Sequence, residues 1–457
     1  MNEKDSLEVF SSMPIPQAVF KNAVPSIVAM LMVLVYNLAD TFFIGQTHDP
    51  MQVSAITLAS QAFVFYSALG TVFGVGGTSV ISRALGADKK EHAKHVSAFC
   101  VWCSLGIGLI FSIAMWVWID PILSLLGANQ ETWDFTKEYL VIVAFSGPFV
   151  VLNGCCSNMI RAEGRSTQAM MGQLIGNLTN VVLDPIMISG LHLNTQGAAV
   201  ATVIGNLLGS AYYIFYFLRG KSMLSFNIRN FSAKNGICTS VLAIGIPASM
   251  NSLFMTISHI VLNRLMAGYG NLQLAGIGVA TSLLKITGLV CIGFGQGIQP
   301  LVGYCTGSGD YPRCKKVIRF SLATGFILST VIAVLCYIFI HPLVGAFLSD
   351  KEAFAYGAAF SEVMLSTSFL FGIFYVLTNV LQGFGAARES FIVNISRQGI
   401  IYIPALFIMR AILGMEGLVW AQPVSDVLSV LLVTLLFILT SSRMEKQHQQ
   451  RIAGLQK

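Results

Sequence analysis

The chain has 457 residues, 55% hydrophobic and 11% charged, with nine cysteines and a formal net charge of +6. A water-soluble domain carries roughly 25% charged residues, so a fully water-facing surface is excluded here. Apolar runs of roughly 20–28 residues can cross a hydrocarbon core of ~30 Å as helices and are too long for barrel strands.

In lipid every backbone polar group must find its partner internally, which leaves a helix bundle as the fold class. The first 18 residues mix charges and carry Pro14 and Pro16. They read as a tail, and no cleavable signal peptide is evident, because the first apolar run is too long for a signal core and lacks a small-x-small exit. Hydropathy then predicts twelve helices, near 19–45, 53–80, 95–119, 135–160, 168–189, 196–218, 237–267, 274–302, 317–340, 354–382, 391–409 and 417–440. The cysteines lie mostly within these runs and show neither zinc-ligand nor redox spacing, so they read as small packing groups.

Of the 27 Lys and Arg, 21 fall on the side of the N-terminus, including Arg83, Lys89, Lys90, Lys94, Arg219, Lys221, Arg229 and Lys234. Lys137, Arg264, Lys351 and Arg410 fall on the other side, and Lys285 and Arg397 lie within helices. The positive-inside rule places both termini in the cytoplasm. The basic excess is therefore a topology signal and not a nucleic-acid footprint.

Compared with itself, the chain repeats at a nearly constant offset. Ala23-Val24-Pro25 meets Gly245-Ile246-Pro247; Gly74, Gly76, Gly86 and Lys94 meet Gly295, Gly297, Gly307 and Lys315; Asn158 meets Asn379 and Gly164 meets Gly385. Two six-helix copies have an even helix count, so they are parallel repeats. The expected organisation is a tail over 1–18, an N-lobe over 19–218, a basic linker over 219–236, a C-lobe over 237–440 and a tail over 441–457, with a central cavity between the lobes.

Two carboxylates, Asp40 and Asp184, sit in apolar helices. Each costs ~2.5–3.5 kcal/mol at a helix centre on insertion scales, which marks them as functional. Tyr36 lies one turn before Asp40. Gln173, Asn177, Asn180 and Asp184 form a polar stripe along helix 5. Pro185 cannot donate to the carbonyl of Val181, which frees an oxygen beside them. Two carboxylates with neutral oxygens suit a hard cation or a shared proton. The second copy lacks these acids: Asp184 aligns with Ala405 and Asp40 with Leu262. It is expected to bury Lys285 and to carry Arg397 and Asp426 as a structural ion-pair network rather than as substrate contacts. Asp426, aligned with neutral Asn206, is expected to be dispensable for transport. The glycines around Gly293, Gly295 and Gly297 read as close helix packing, since no strand precedes them. No Ser/His/Asp arrangement, metal motif or Walker sequence appears, so the chain does not read as an enzyme.

The segments "NLADTFFIGQ", "GVGGTSVISRALGADK", "NMIRAEG", "NVVLDPIMI" and "GIPASM" together resemble the MATE family of multidrug and toxin extruders, closest to its bacterial MepA-like branch. That resemblance, covering about residues 15–440, implies a cation site made of Asp40, Asn180, Asp184 and Thr202, supported by Tyr36, Asn153, Asn158 and Asn177. It implies multidrug efflux of cationic amphiphiles, and with it antibiotic resistance, by antiport with H⁺ or Na⁺ through alternating access, with no cofactor. Na⁺ would sit at Asp40, Asn180, Asp184 and Thr202. It further implies a monomer in the bacterial cytoplasmic (inner) membrane, in contact with lipid and not with nucleic acid. The alternative is a flippase for a lipid-linked precursor. The acidic residue that some branches carry on helix 7 is absent; His259 stands in that stretch.

Overall fold

A computed structural model of the chain describes residues 3–45, 50–220, 222–234 and 236–455. Lys221 of the basic linker lies outside the described residues. The twelve long helices are α1 Ile15–Gly45, α2 Pro50–Gly86, α3 Lys90–Val117, α4 Trp133–Ala162, α5 Ser166–Pro185, α6 Asn194–Leu218, α7 Ile237–Ala267, α8 Asn271–Ser308, α9 Tyr311–Ile338, α10 Lys351–Phe384, α11 Ala387–Leu413 and α12 Met415–Leu455. No strand occurs among the described residues.

Eleven of these helices are long and apolar enough to cross a membrane. The exception is α5, whose 20 residues carry Gln173, Asn177, Asn180 and Asp184. The polarity of this stripe is what removes α5 from a hydropathy count. Several helices also run beyond their expected ends. In α2 and α8 the helix continues to Gly86 and Ser308. Short helices at Glu3–Ser11, Ile119–Leu126 and Ile340–Gly345 lie outside the expected set.

Helix boundaries follow local chemistry. Asp310 caps α9 by accepting from the Arg313 N–H at 3.0 Å, and Asp350 caps α10 by accepting from Glu352 and Ala353 N–H at 2.9 Å. Gly164 and Gly385 follow α4 and α10 with φ of 82° and 73°, a left-handed conformation that glycine adopts without strain. Three irregularities interrupt expected straight helices. A π turn, Ile186–Gly190, follows Pro185; a second, Ser396–Ile401, lies within α11; and a 3₁₀ turn, Ser368–Leu370, breaks α10.

The helices divide into two compact units. Unit 1 holds residues up to Ser12 and Val28–Ser249; unit 2 holds Met13–Ile27 and Met250 onward. Both boundaries within helices fall two residues after a proline, Pro25 in α1 and Pro247 in α7, where a helical hydrogen bond is removed. Within unit 2 the first half of α1 packs on α8: the position of a Gly297 Cβ lies 2.5 Å from Ala23 Cα, and that of Gly293 2.8 Å from Ile27 Cα. Any side chain at either glycine would part the two helices. Within unit 1, Gly76 and Gly245 make the equivalent approaches to Val241 and Val72. The glycines thus serve close helix packing, as the absence of a preceding strand implied.

Candidate cation site

The site lies within unit 1 and is built from α1, α4, α5 and α6. On α5, the spacing of Asn180 and Asp184 places both on one face, one helical turn apart. Both are buried, at 3% and 0% exposure. The Asn180 amide takes the orientation in which Nδ2 donates to Asp184 Oδ2 at 3.0 Å. Its oxygen then accepts from the Thr202 backbone N–H and hydroxyl, both at 3.1 Å. The opposite orientation would set an amide oxygen against the carboxylate.

Asp40 reaches this cluster from α1 and lies within Coulombic range of Asp184. Tyr36, one turn earlier, lies close to both acids and to Thr202. Tyr139 of α4 does the same. Two acceptors nevertheless remain unmet: Asp40 Oδ1 and Asp184 Oδ1 are buried and accept from no protein group. Buried polar atoms without a partner are rare in folded proteins and call for an explanation.

A cavity of about 170 Å³ adjoins the cluster, with Tyr36, Asn153, Asn177, Asn180, Thr202 and Asn206 among its lining. Its wall is hydrogen-bonded in series. Asn206 donates to the Thr202 carbonyl at 2.9 Å, Asn153 donates to the Asn206 side chain at 3.2 Å, and Ser210 donates to Asn153 Oδ1 at 2.9 Å. Asn177 Nδ2 is buried without an acceptor and adds an unpaired donor to the same wall.

The structure therefore brings together Tyr36, Asp40, Asn180, Asp184 and Thr202, with Asn153 and Asn177 on the adjoining cavity. Asn158 belongs elsewhere. Its amide donates to the Gly154 carbonyl at 2.8 Å and accepts from Arg161 Nη1 at 2.9 Å. Its spacing on helix 4 could not reveal that Arg161, one turn on, would claim it. Sequence reasoning missed Tyr139, which nothing distinguishes from other membrane aromatics until α4 packs against α1 and α6. It also assigned no role to Glu163, which is fully buried and accepts from the Tyr216 hydroxyl and, at 2.9 Å, from the Ser222 hydroxyl and the Met223 N–H. That carboxylate ties the segment after α6 to the turn between α4 and α5. Burial holds its acid above the usual carboxylate range despite these donors.

In unit 2, Arg397 and Asp426 form an ion pair at 3.1 Å, with both side chains buried. The expectation that Lys285 is buried is not met: it lies on the exposed side of α8. No group of three or more His, Cys, Asp or Glu able to hold a metal occurs among the described residues. A cation at this site would instead rest on the two carboxylates and neutral oxygens. Two unpartnered carboxylate oxygens beside neutral oxygens are groups of the kind that a hard cation or a shared proton takes.

The MatE family model matches twice, over residues 25–186 and 247–408, so the chain contains two copies displaced by 222 residues. The chain belongs to the MatE family. This MatE chain is 31% identical over 450 residues to the multidrug export protein MepA of Staphylococcus aureus (strain MRSA252), covering 98% of this chain and 99% of the relative. It is equally similar, at 31% over the same coverage, to MepA of Staphylococcus saprophyticus. Among solved structures, an outward-facing multidrug resistance MATE transporter of the MOP superfamily superimposes with a TM-score of 0.91 at 22% identity, covering 97% and 99% of the two chains. A MOP superfamily transporter from Pyrococcus furiosus gives 0.90 at 22% identity, covering 97% and 99%. The MatE chain thus has the all-helical membrane fold of these transporters, and family membership makes it a transporter and not an enzyme.

Proposed function

We propose that this MatE chain exports small cationic amphiphiles in exchange for a monovalent cation, H⁺ or Na⁺, held at Asp40 and Asp184. The supporting observation is the pair of buried oxygens, Asp40 Oδ1 and Asp184 Oδ1, that accept from no protein group. Two carboxylates in one apolar site cannot both remain charged at low cost, and a proton or a metal ion resolves that conflict. Asn180 makes either ion chemically reasonable. With its Nδ2 on Asp184, it serves a site without metal; turning the amide by about 180° (two-fold at a terminal sp² torsion) would offer its oxygen instead to a hard cation. The substrate class comes from the multidrug export relatives.

In this reading the two repeats act as lobes, 19–218 and 237–440, that expose a central cavity alternately to either side. The charge distribution supports termini in the cytoplasm and a bacterial cytoplasmic membrane location. A single chain suffices as a monomer. One charge moving inward down ~100 mV supplies ~2.3 kcal/mol, roughly a fiftyfold substrate gradient. Ethidium export from proteoliposomes, driven in turn by an imposed proton and an imposed sodium gradient, tests the proposal. Export with at least one gradient is expected, and export with neither would overturn it.

A further inference from the structure

The internal repeat relates side chains as well as helices. Asn158 donates to the Gly154 carbonyl and Asn379 to the Tyr375 carbonyl, both at 2.8 Å, and the glycine facing each amide is Gly74 or Gly295. This pairs Gly154 with Tyr375. A second correspondence fixes α5–α6 against α11–α12. The position of a Gly205 Cβ lies 2.6 Å from the Gly176 carbonyl, while the Ser425 hydroxyl donates to the Arg397 carbonyl at 3.0 Å. Gly176 therefore corresponds to Arg397, and Gly205 to Ser425. One residue further, Asn206 corresponds to Asp426, and one turn earlier Thr202 corresponds to Gln422.

In unit 1 these positions line the cavity beside the cation site: Gly154, Gly176, Thr202, Gly205 and Asn206. In unit 2 one of these positions changes from glycine to arginine, and both terminal nitrogens of its guanidinium are hydrogen-bonded. Nη1 donates to the Tyr375 hydroxyl at 2.8 Å and Nη2 to Asp426 Oδ1 at 3.1 Å. The guanidinium carbon lies 4.5, 4.6 and 5.2 Å from the ring centroids of Phe371, Phe374 and Tyr375. Asp426 accepts further from Gln422 at 2.9 Å and from Thr367 at 3.1 Å. An acid facing three aromatic rings is a receptor for a planar organic cation.

We propose that Arg397 is a cation built into the chain, occupying in unit 2 the pocket that unit 1 keeps open. Removal of its side chain then exposes a binding site for a free guanidinium-type cation. In the intact chain both carboxylate oxygens of Asp426 already accept from protein donors, so a mobile ion would have to displace them. This assigns cation exchange to unit 1 alone and gives unit 2 a fixed internal charge. The assignment of the pocket stands on unit 2 geometry and does not depend on the identity of the exported substrate.

The test uses purified full-length Arg397→Ala in detergent, melted with and without millimolar guanidinium chloride, with potassium chloride as the ionic-strength control. Guanidinium should raise the melting temperature of Arg397→Ala by a few degrees while leaving the native chain and Arg397→Ala/Asp426→Asn unmoved. An equal response of all three proteins would overturn the proposal. Should Arg397→Ala be too unstable to purify, solubilisation with guanidinium present throughout decides the same question. Monodisperse protein recovered only with guanidinium supports the pocket; no gain in recovery over potassium overturns it.

Discussion

Asn180 donates to Asp184 Oδ2 at 3.0 Å, while Oδ1 of the same carboxylate is buried and accepts from no protein group. One half of the acid is held in place by the chain and the other half is left for something else. Asp40 adds a second buried Oδ1 that accepts from no protein group. This division of one carboxylate between a positioning bond and an open oxygen is the geometric basis of the proposed coupling.

Asn180 should separate the two ions. A proton needs one carboxylate oxygen, whereas sodium needs several neutral oxygens as well. Asn180→Ala should therefore weaken sodium-driven ethidium export at pH 8 more than proton-driven export in the same proteoliposomes. An equal loss of both would show that the neutral oxygens have no separate sodium role.

Tyr139 offers a test of the geometry that the sequence concealed. Tyr139→Phe keeps the ring in its buried place on α4 and removes only the hydroxyl facing Thr202. A neutral hydrogen bond contributes about 1 kcal/mol, so gradient-driven export should fall by a factor of about 5. Unchanged export in titrations of either ion would remove Tyr139 from the site.

Asp426 should report on stability and not on coupling. Alignment with neutral Asn206 leaves it dispensable for transport, and the ion pair with Arg397 gives it a separate weight in stability. Asp426→Asn leaves a buried guanidinium without its counter-charge, and breaking a buried pair costs about 3–5 kcal/mol. The variant should melt well below the native chain in detergent, while the surviving protein retains its ion response. A native-like melting curve would contradict the pair's structural weight.

Glu163 should behave as a structural tie. Glu163→Ala strands the Ser222 hydroxyl and the Met223 N–H, at about 1–3 kcal/mol for each buried group left unpaired. Because burial raises its acid, the neutral form is favoured in the folded chain relative to the unfolded one. Its contribution is therefore retained at low pH and shrinks as pH rises through the folded value. Limited proteolysis near residues 222–231 should quicken in Glu163→Ala and, in the native chain, with rising pH. Unaltered cleavage in both cases would refute the tie.

The helices, the repeat and the two acids are legible in the sequence because lipid imposes long apolar runs, and a carboxylate within one has no bland explanation. Asn153 and Asn158 illustrate the limit. Both are asparagines on α4, five residues apart; tertiary packing sends Asn153 to Asn206, whereas Asn158 is claimed by Arg161 one turn on in its own helix. The π turn in α11 is invisible for a similar reason, since residues 396–401 retain ordinary helical composition. The buried Arg397 is visible as a charge within an apolar run, but its enclosure by Phe371, Phe374 and Tyr375, just after the 3₁₀ turn Ser368–Leu370, is a tertiary contact that spacing does not show.

The coupling claim is tested most directly by ethidium flux in proteoliposomes containing either the native chain or Asp184→Asn, with matched protein content and monodispersity. Imposed proton and sodium gradients are applied separately, and ethidium binding is measured on the same preparations. The account predicts that the native chain exports under at least one gradient, while Asp184→Asn binds ethidium and exports under neither. Gradient-driven export by Asp184→Asn at the native rate would contradict it.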